Sequence, residues 1–184
     1  VREEDVLLAG AAEQESRRGR AQGFGAELGA WILRLLPPAD AAEARLFRAA
    51  ALLSDVNWRT HPDHRAQGCI ETVTRVTLSD LGHAGQAFLG AALIARHKGA
   101  KRANDRWPAL ALLSEERLTR ATQLGLGLRL GGTVAGFAPG VLAYCDIGRA
   151  GGELVLALRG PAAPFAGEEV EKRLAAFARA NGMT

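Results

Sequence analysis

The feature that most narrows the fold is a change of hydrophobic period near Phe137. Before it, apolar residues recur at helical spacing; after it they fall in short, β-prone runs. The cleanest stripe is Phe24, Leu28, Trp31, Ile32 and Leu35, at i, i+4, i+7, i+8 and i+11, stopped by Pro37-Pro38. Val6–Arg18 reads as a helix ahead of it. Asp40 stands as N-cap for a helix carrying Leu46, Phe47, Ala50 and Leu53. The stretch Ser54-Asp55-Val56-Asn57-Trp58 is irregular. Pro62 then takes a first helical position, with Ile70, Val73 and Thr77 as that helix's buried side. A further helix spans about Ala84 to His97, with Phe88, Leu89, Ala92 and Leu93 inside. Ser114 caps the next, with Glu115 and Glu116 at the positive end of its dipole.

That helix runs into Gly125, Gly127, Gly131, Gly132 and Gly136. Each glycine costs about 1 kcal/mol in a helix interior. Close helix–helix contact explains them, and so does an early break; both stay open. Past Phe137, Val141–Ile147 and Glu153–Leu158 read as an antiparallel hairpin around Gly148-Arg149-Ala150-Gly151-Gly152. A closing helix runs from about Gly167 to Ala180, with Val170, Leu174 and Phe177 inward and Gly182 just past its end. The fold class is therefore mainly α: a helical bundle over 1–137 and a small ββα element over 138–184 packed on it.

Composition bounds the rest. The 184 residues fit one domain, or one with a small appendage. Apolar content of 48% and charged content of 23% are those of a globular protein. No run of 18 apolar residues exists to span a membrane. Cys69 and Cys145 are too few for a disulfide framework and form no CxxC, which points to a reducing compartment, the cytoplasm. The first residue is Val1, so the expectation is a processed chain or a piece of a longer one. The charged Val1–Asp5 start is not a signal peptide.

Net charge is only +3, but 20 of the 23 basic residues are Arg, whose planar fork suits phosphate and carboxylate oxygens. Between Arg96 and Arg106 stand Arg96, Lys98, Lys101, Arg102 and Arg106 against one acid, Asp105. Such a run either keeps a loop solvated or meets a partner of repeated negative charge. Trp107 is the one aromatic beside it, so a featureless polyanion fits better than base-stacking nucleic acid.

Other constellations carry less. Gly125–Thr133 matches neither GxGxxG nor GxxxxGK[ST]. His61, Asp63 and His64 open a helix and His97 ends another. With Asp55, the three histidines are the candidates for a divalent metal that would activate water. Glu115-Glu116 and Glu168-Glu169 are explained by helix dipoles. Ser54 has no base beside it in sequence, and Cys69 reads as a small buried hydrophobe. No residue is assigned a catalytic role.

The ordered set of Val1-Arg-Glu with Leu7-Leu8, Ala49–Asp55, His61-Pro-Asp-His64, Ala95–Lys98, Leu128-Arg-Leu130 and the ββα end resembles a known pattern. It is similar to the C-terminal region of the exopolyphosphatase / guanosine pentaphosphate phosphatase family, over nearly the whole chain. The resemblance implies an HD-like helical domain with a small α/β tail. His64 and His97 match the family's helix-start and helix-end histidines, and Arg129 matches its Leu-Arg-Leu arginine. It also implies that catalysis belongs to two actin-like lobes upstream, absent here, which use a divalent metal (Mg) on inorganic polyphosphate or guanosine pentaphosphate. No cofactor is implied for this piece. Its implied roles are holding the polyanion, with Arg96, Lys98, Lys101, Arg102, Arg106, Arg129, His64 and His97 as binding candidates, and forming a homodimer. Where HD enzymes carry His-Asp, this chain has Ser54-Asp55, which removes one metal ligand. The alternatives are a self-sufficient HD-type metal phosphohydrolase built on Asp55, His61, His64 and His97, or a purely structural dimerisation or regulatory domain.

Overall fold

The structure, a computed structural model, describes residues 5–75, 81–100 and 107–183. Thr77 and the basic residues Lys101, Arg102 and Arg106 lie outside the described residues. Helices α1 (Val6–Arg18), α2 (Phe24–Leu35), α3 (Ala41–Leu53), α4 (Arg65–Arg75), α5 (His83–Lys98) and α6 (Glu115–Ala135) come first. The hairpin β1 (Cys145–Ala150) and β2 (Glu153–Leu158) and helix α7 (Glu168–Ala180) follow. The chain is mainly α with a small C-terminal sheet, as its periodicity predicts. No helix among the described residues is long and apolar enough to cross a membrane.

Each cap read from the sequence is made. The Asp40 carboxylate accepts from the Glu43 N–H at 2.7 Å, and the Ser114 hydroxyl accepts from the Arg117 N–H at 3.2 Å. The α2 stripe is buried along its whole length, and the Trp31 indole N–H donates to the Cys145 carbonyl at 3.1 Å, fastening α2 to the start of β1. On α4 the buried side is Cys69, Thr72 and Val73, whereas Ile70 is only partly buried. The side is turned toward Thr72 because its hydroxyl meets Asn57 in the interior. Pro62 opens a 3-10 turn, Pro62–His64, and α4 proper begins at Arg65.

Glu43, also buried, ties the start of α3 to α6. Its carboxylate accepts from Arg120 through Nε at 3.2 Å and Nη2 at 3.1 Å, and from the Ala39 N–H at 2.7 Å. Burial acts to raise its pKa, but these bonds and the charges of Arg120 and Arg117 more than offset that, so the group sits below its ordinary value.

Helix α5 is the centre. Ala87 to Arg96 are all buried, the sign of a helix covered on every side. It runs the same way as α6: Phe88 lies under the Arg117 guanidinium, Ala92 and Arg96 meet Gly125, and Gly99 meets Arg129. Contact, not a break, is what the α6 glycines provide. The helix is continuous to Ala135 and stops at Gly136, where the backbone turns left-handed (φ 55°). A methyl group on Gly125 would stand 2.2 Å from the Ala92 carbonyl oxygen, and one on Gly131 2.5 Å from Leu28 Cδ1.

The hairpin differs from its expected span. Strand β1 starts at Cys145 rather than Val141 and runs on through Gly148, Arg149 and Ala150. The turn is just Gly151-Gly152, with Ala150 opposite Glu153. Both glycines have positive φ (59° and 89°), which suits a two-residue hairpin turn and leaves Gly148–Ala150 free to pair. Val141–Tyr144 cannot extend the strand because Glu27 on α2 draws in the N–H groups of Gly140 (2.6 Å) and Leu142 (2.9 Å), which holds this segment as a turn.

Replacing Gly125 by alanine gains helix propensity but forces α5 and α6 apart. The expected outcome is a net loss of about 2 kcal/mol in chemical denaturation. Unchanged or raised stability would mean that α5 and α6 do not touch at this point.

Candidate functional site

The irregular stretch after α3 is held by arginines. Asp55 is buried, and its carboxylate faces two of them. Arg20 approaches through Nη2 and Nε at 3.4 Å, and Arg96 through Nη2 at 3.7 Å. Arg20 also lies over the Phe137 ring (4.2 Å) and the Trp58 ring (5.2 Å). Arg65 donates to the Thr60 carbonyl at 2.9 Å and the Trp58 carbonyl at 3.0 Å, and Arg18 donates to Asn57 Oδ1 at 3.1 Å. Lys98 donates to the Pro62 carbonyl at 2.9 Å. Burial raises the Asp55 carboxyl above its ordinary value despite Arg96 and Arg20, and lowers Arg96 to about 10, which leaves the guanidinium charged at neutral pH.

Arg96 is therefore an interior residue. The sequence places it with the surface run, but the packing of α5 against α6 turns it inward to Asp55. His97 follows it in. Its Nδ1 lies 3.4 Å from an Arg96 nitrogen, and its Nε2 is buried with no hydrogen-bond partner. Burial, then Arg96, Arg65, Arg129 and Lys98, push its pKa down to about 2. Cys69 is buried too, and burial pushes its thiol up to about 11, the state of an inert core residue.

The metal candidates do not converge. His61 and His64 sit together on the exposed turn, ring centroids 6.0 Å apart, while Asp55 is taken up by two guanidinium groups. Among the described residues no three His, Cys, Asp or Glu side chains are gathered as ligands. His64 lines instead a cleft of about 390 Å³ with Arg18, Asn57, Gln67 and Glu71.

Arg129 lies on another face. Its Nη1 covers Gly99 at the end of α5, 3.2 Å from where a methyl group there would stand, and the side chain is half-buried. Among the described residues it has no hydrogen-bond or ion-pair partner. It opens into a cleft of about 450 Å³ between α6 and α7 that Lys172, Arg173 and Arg179 complete. Burial and the Arg173 charge lower its pKa, and Glu169 opposes them. The three α7 cations are absent from the sequence-derived set. Their signal is nonetheless in the chain: Lys172, Arg173, Ala176, Arg179 and Ala180 fall at i, i+1, i+4, i+7 and i+8, one helical face without a large side chain of apolar character.

Compared with known protein families, residues 7–184 match the family described as "Exopolyphosphatase, C-terminal". No curated protein matches the chain.

The depressed His97 gives stability a pH dependence. The unfolded chain takes up this proton near pH 6.5 and the folded one only near 2, so stability is kept above 6.5 and lost as pH falls below it. Asp55 and Glu15, both held above their ordinary values by burial, act in the opposite sense and are common to wild type and variant. Relative to H97Q, wild type should therefore lose about 2 kcal/mol between pH 6.5 and 5 in denaturant titrations. Parallel pH curves for the two proteins would place a protonated or freely titrating imidazole at position 97.

Proposed function

The chain belongs to the exopolyphosphatase C-terminal family, and on that premise we propose that it holds inorganic polyphosphate, or the phosphates of guanosine pentaphosphate, without cleaving them. In this reading cleavage and its divalent metal belong to catalytic lobes elsewhere in the parent protein. The observation that carries it is Arg129: a half-buried guanidinium with no hydrogen-bond or ion-pair partner among the described residues, beside Gly99, which in sequence just precedes the basic residues Lys101, Arg102 and Arg106. A half-buried cation is partly desolvated, and an anion that meets it offsets that cost. A phosphate chain there would release counterions and bind in a salt-dependent way. Arg96 and His97 act from behind, by fixing the end of α5, and Lys98 by holding the Pro62 turn.

Immobilised chain should retain long-chain polyphosphate at low salt and release it as salt rises. The triple change K101A/R102A/R106A should abolish retention with the fold intact by circular dichroism. Retention untouched by the triple change would overturn the reading.

Pairing with a second copy is the other half of the proposal. It is supported by the outward face of the hairpin, where Tyr144 and Val155 are exposed beside the small residues Gly148 and Ala157 while Cys145, Ile147, Leu154 and Leu156 turn inward. Sedimentation over a range of concentrations should show a dimer that V155E converts to monomer. A wild-type monomer at high concentration would remove this part.

A further inference from the structure

The cleft between α6 and α7 holds a feature that a merely solvated basic surface lacks. Arg129 and Arg173 line the same cleft, the Arg173 charge disfavours that of Arg129, and neither guanidinium is fully satisfied. Arg129 has no partner among the described residues, and the Nε of Arg173 is buried without an acceptor. Arg173 does have an ion-pair partner, Glu169, one helical turn earlier on α7. Glu169 is more exposed than Arg173, 55% against 19%, so the carboxylate reaches in from the rim and can swing back out to water. Lys172 and Arg179 line the same cleft and add charge without a partner of their own among the described residues.

We infer that this cleft is a phosphoryl-group site in which Arg129 and Arg173 clasp one compact oxyanion and Glu169 is its built-in competitor. A phosphoryl group presents several oxygens that two guanidinium forks can share, and it would reach the Arg173 Nε that Glu169 leaves open. Binding then exchanges one carboxylate for one phosphoryl group on Arg173, so Glu169 sets a threshold: weakly charged anions do not displace it, and condensed phosphates do. The biological ligand rests on the polyphosphate reading above; the site itself rests on the cleft.

The test uses two probes, pyrophosphate by calorimetry and long-chain polyphosphate by retention, on the full 184-residue chain. E169Q frees Arg173 and should tighten pyrophosphate binding about threefold or more, a gain that a misfolded variant would not show. R129Q and R173Q, checked for fold by circular dichroism, should each weaken it at least about tenfold. Equal pyrophosphate affinity in wild type and E169Q, or an R129Q protein that binds as well as wild type, would overturn the inference. Polyphosphate retention lost in K101A/R102A/R106A and weakened in R129Q but indifferent to E169Q and R173Q would overturn it while leaving the polyphosphate reading standing. Pyrophosphate bound through Arg129 and Arg173 by a chain that does not retain polyphosphate would do the reverse.

Discussion

Between Gly125 and the Ala92 carbonyl there is no room for a methyl group, and much of the molecule follows from that contact. It lets the backbones of α5 and α6 lie together while running in the same direction. Two parallel neighbours need a connection that travels back along their length. Trp107, which stands between the two helices in sequence, lies over Gly90, half-way back along α5. With α6 on one side, α3 and α4 on others and Trp107 over it, α5 has no wet face left. Two consequences reach the functional surface. Arg96, one turn beyond Ala92, is forced inward and must find an acid, and Arg129, one turn beyond Gly125, is delivered to the exposed end of α5 at Gly99.

The buried acid is Asp55, and the cost of taking it out of water is met by a group of cations rather than a single ion pair. Arg20 stacks on Phe137 and Trp58 while it faces the carboxylate, which fixes its planar head at little further entropic cost. Phe137 itself has a left-handed backbone (φ 61°), held by the bond from its N–H to the Gly132 carbonyl at the end of α6. The end of α6, the start of α2 through Phe24, and the 54–58 turn thus meet at one guanidinium. A carboxylate enclosed in this way is a structural anchor. The same residue in an HD-type centre would need its oxygens free for a cation, and here the guanidinium groups of Arg20 and Arg96 face them.

Most of the fold was legible because it is written in short-range patterns. The α2 stripe, the Asp40 and Ser114 caps and the α7 inner residues Val170 and Phe177 are local signals, and the structure keeps them. What the chain hid was long-range. Glycine in α6 is the same residue whether a helix breaks or a neighbour presses close, and only the partner α5 decides between them. The start of β1 depends on Glu27, more than 100 residues earlier, capping the turn before it. The site divides the same way. A run of basic residues is visible as a run, so Arg96 and Lys98 stood out, yet burial takes Arg96 inward and the Pro62 carbonyl takes the Lys98 ammonium. Lys172, Arg173 and Arg179 were missed because their acids, Glu169 and Glu171, balance them in sequence; the helix gathers the three cations at one cleft, where Glu169 reaches Arg173 and Glu171 takes no part in the lining.

That gathering explains how an Arg-rich chain of small net charge can still present a strongly cationic site. Guanidinium groups that meet carboxylates or carbonyls, as Arg20, Arg65, Arg96 and Arg120 do, have their donors taken up where they stand and contribute rigidity. Those without partners, Arg129 foremost, are what an approaching anion senses, because the field of a paired charge falls off faster than that of a lone one. Total charge is therefore a poor guide to what this surface attracts. The better guide is the residue of each sign left over once the internal pairs are made, and in the α6–α7 cleft that remainder is positive: Lys172 and Arg179 on α7 and Arg129 on α6.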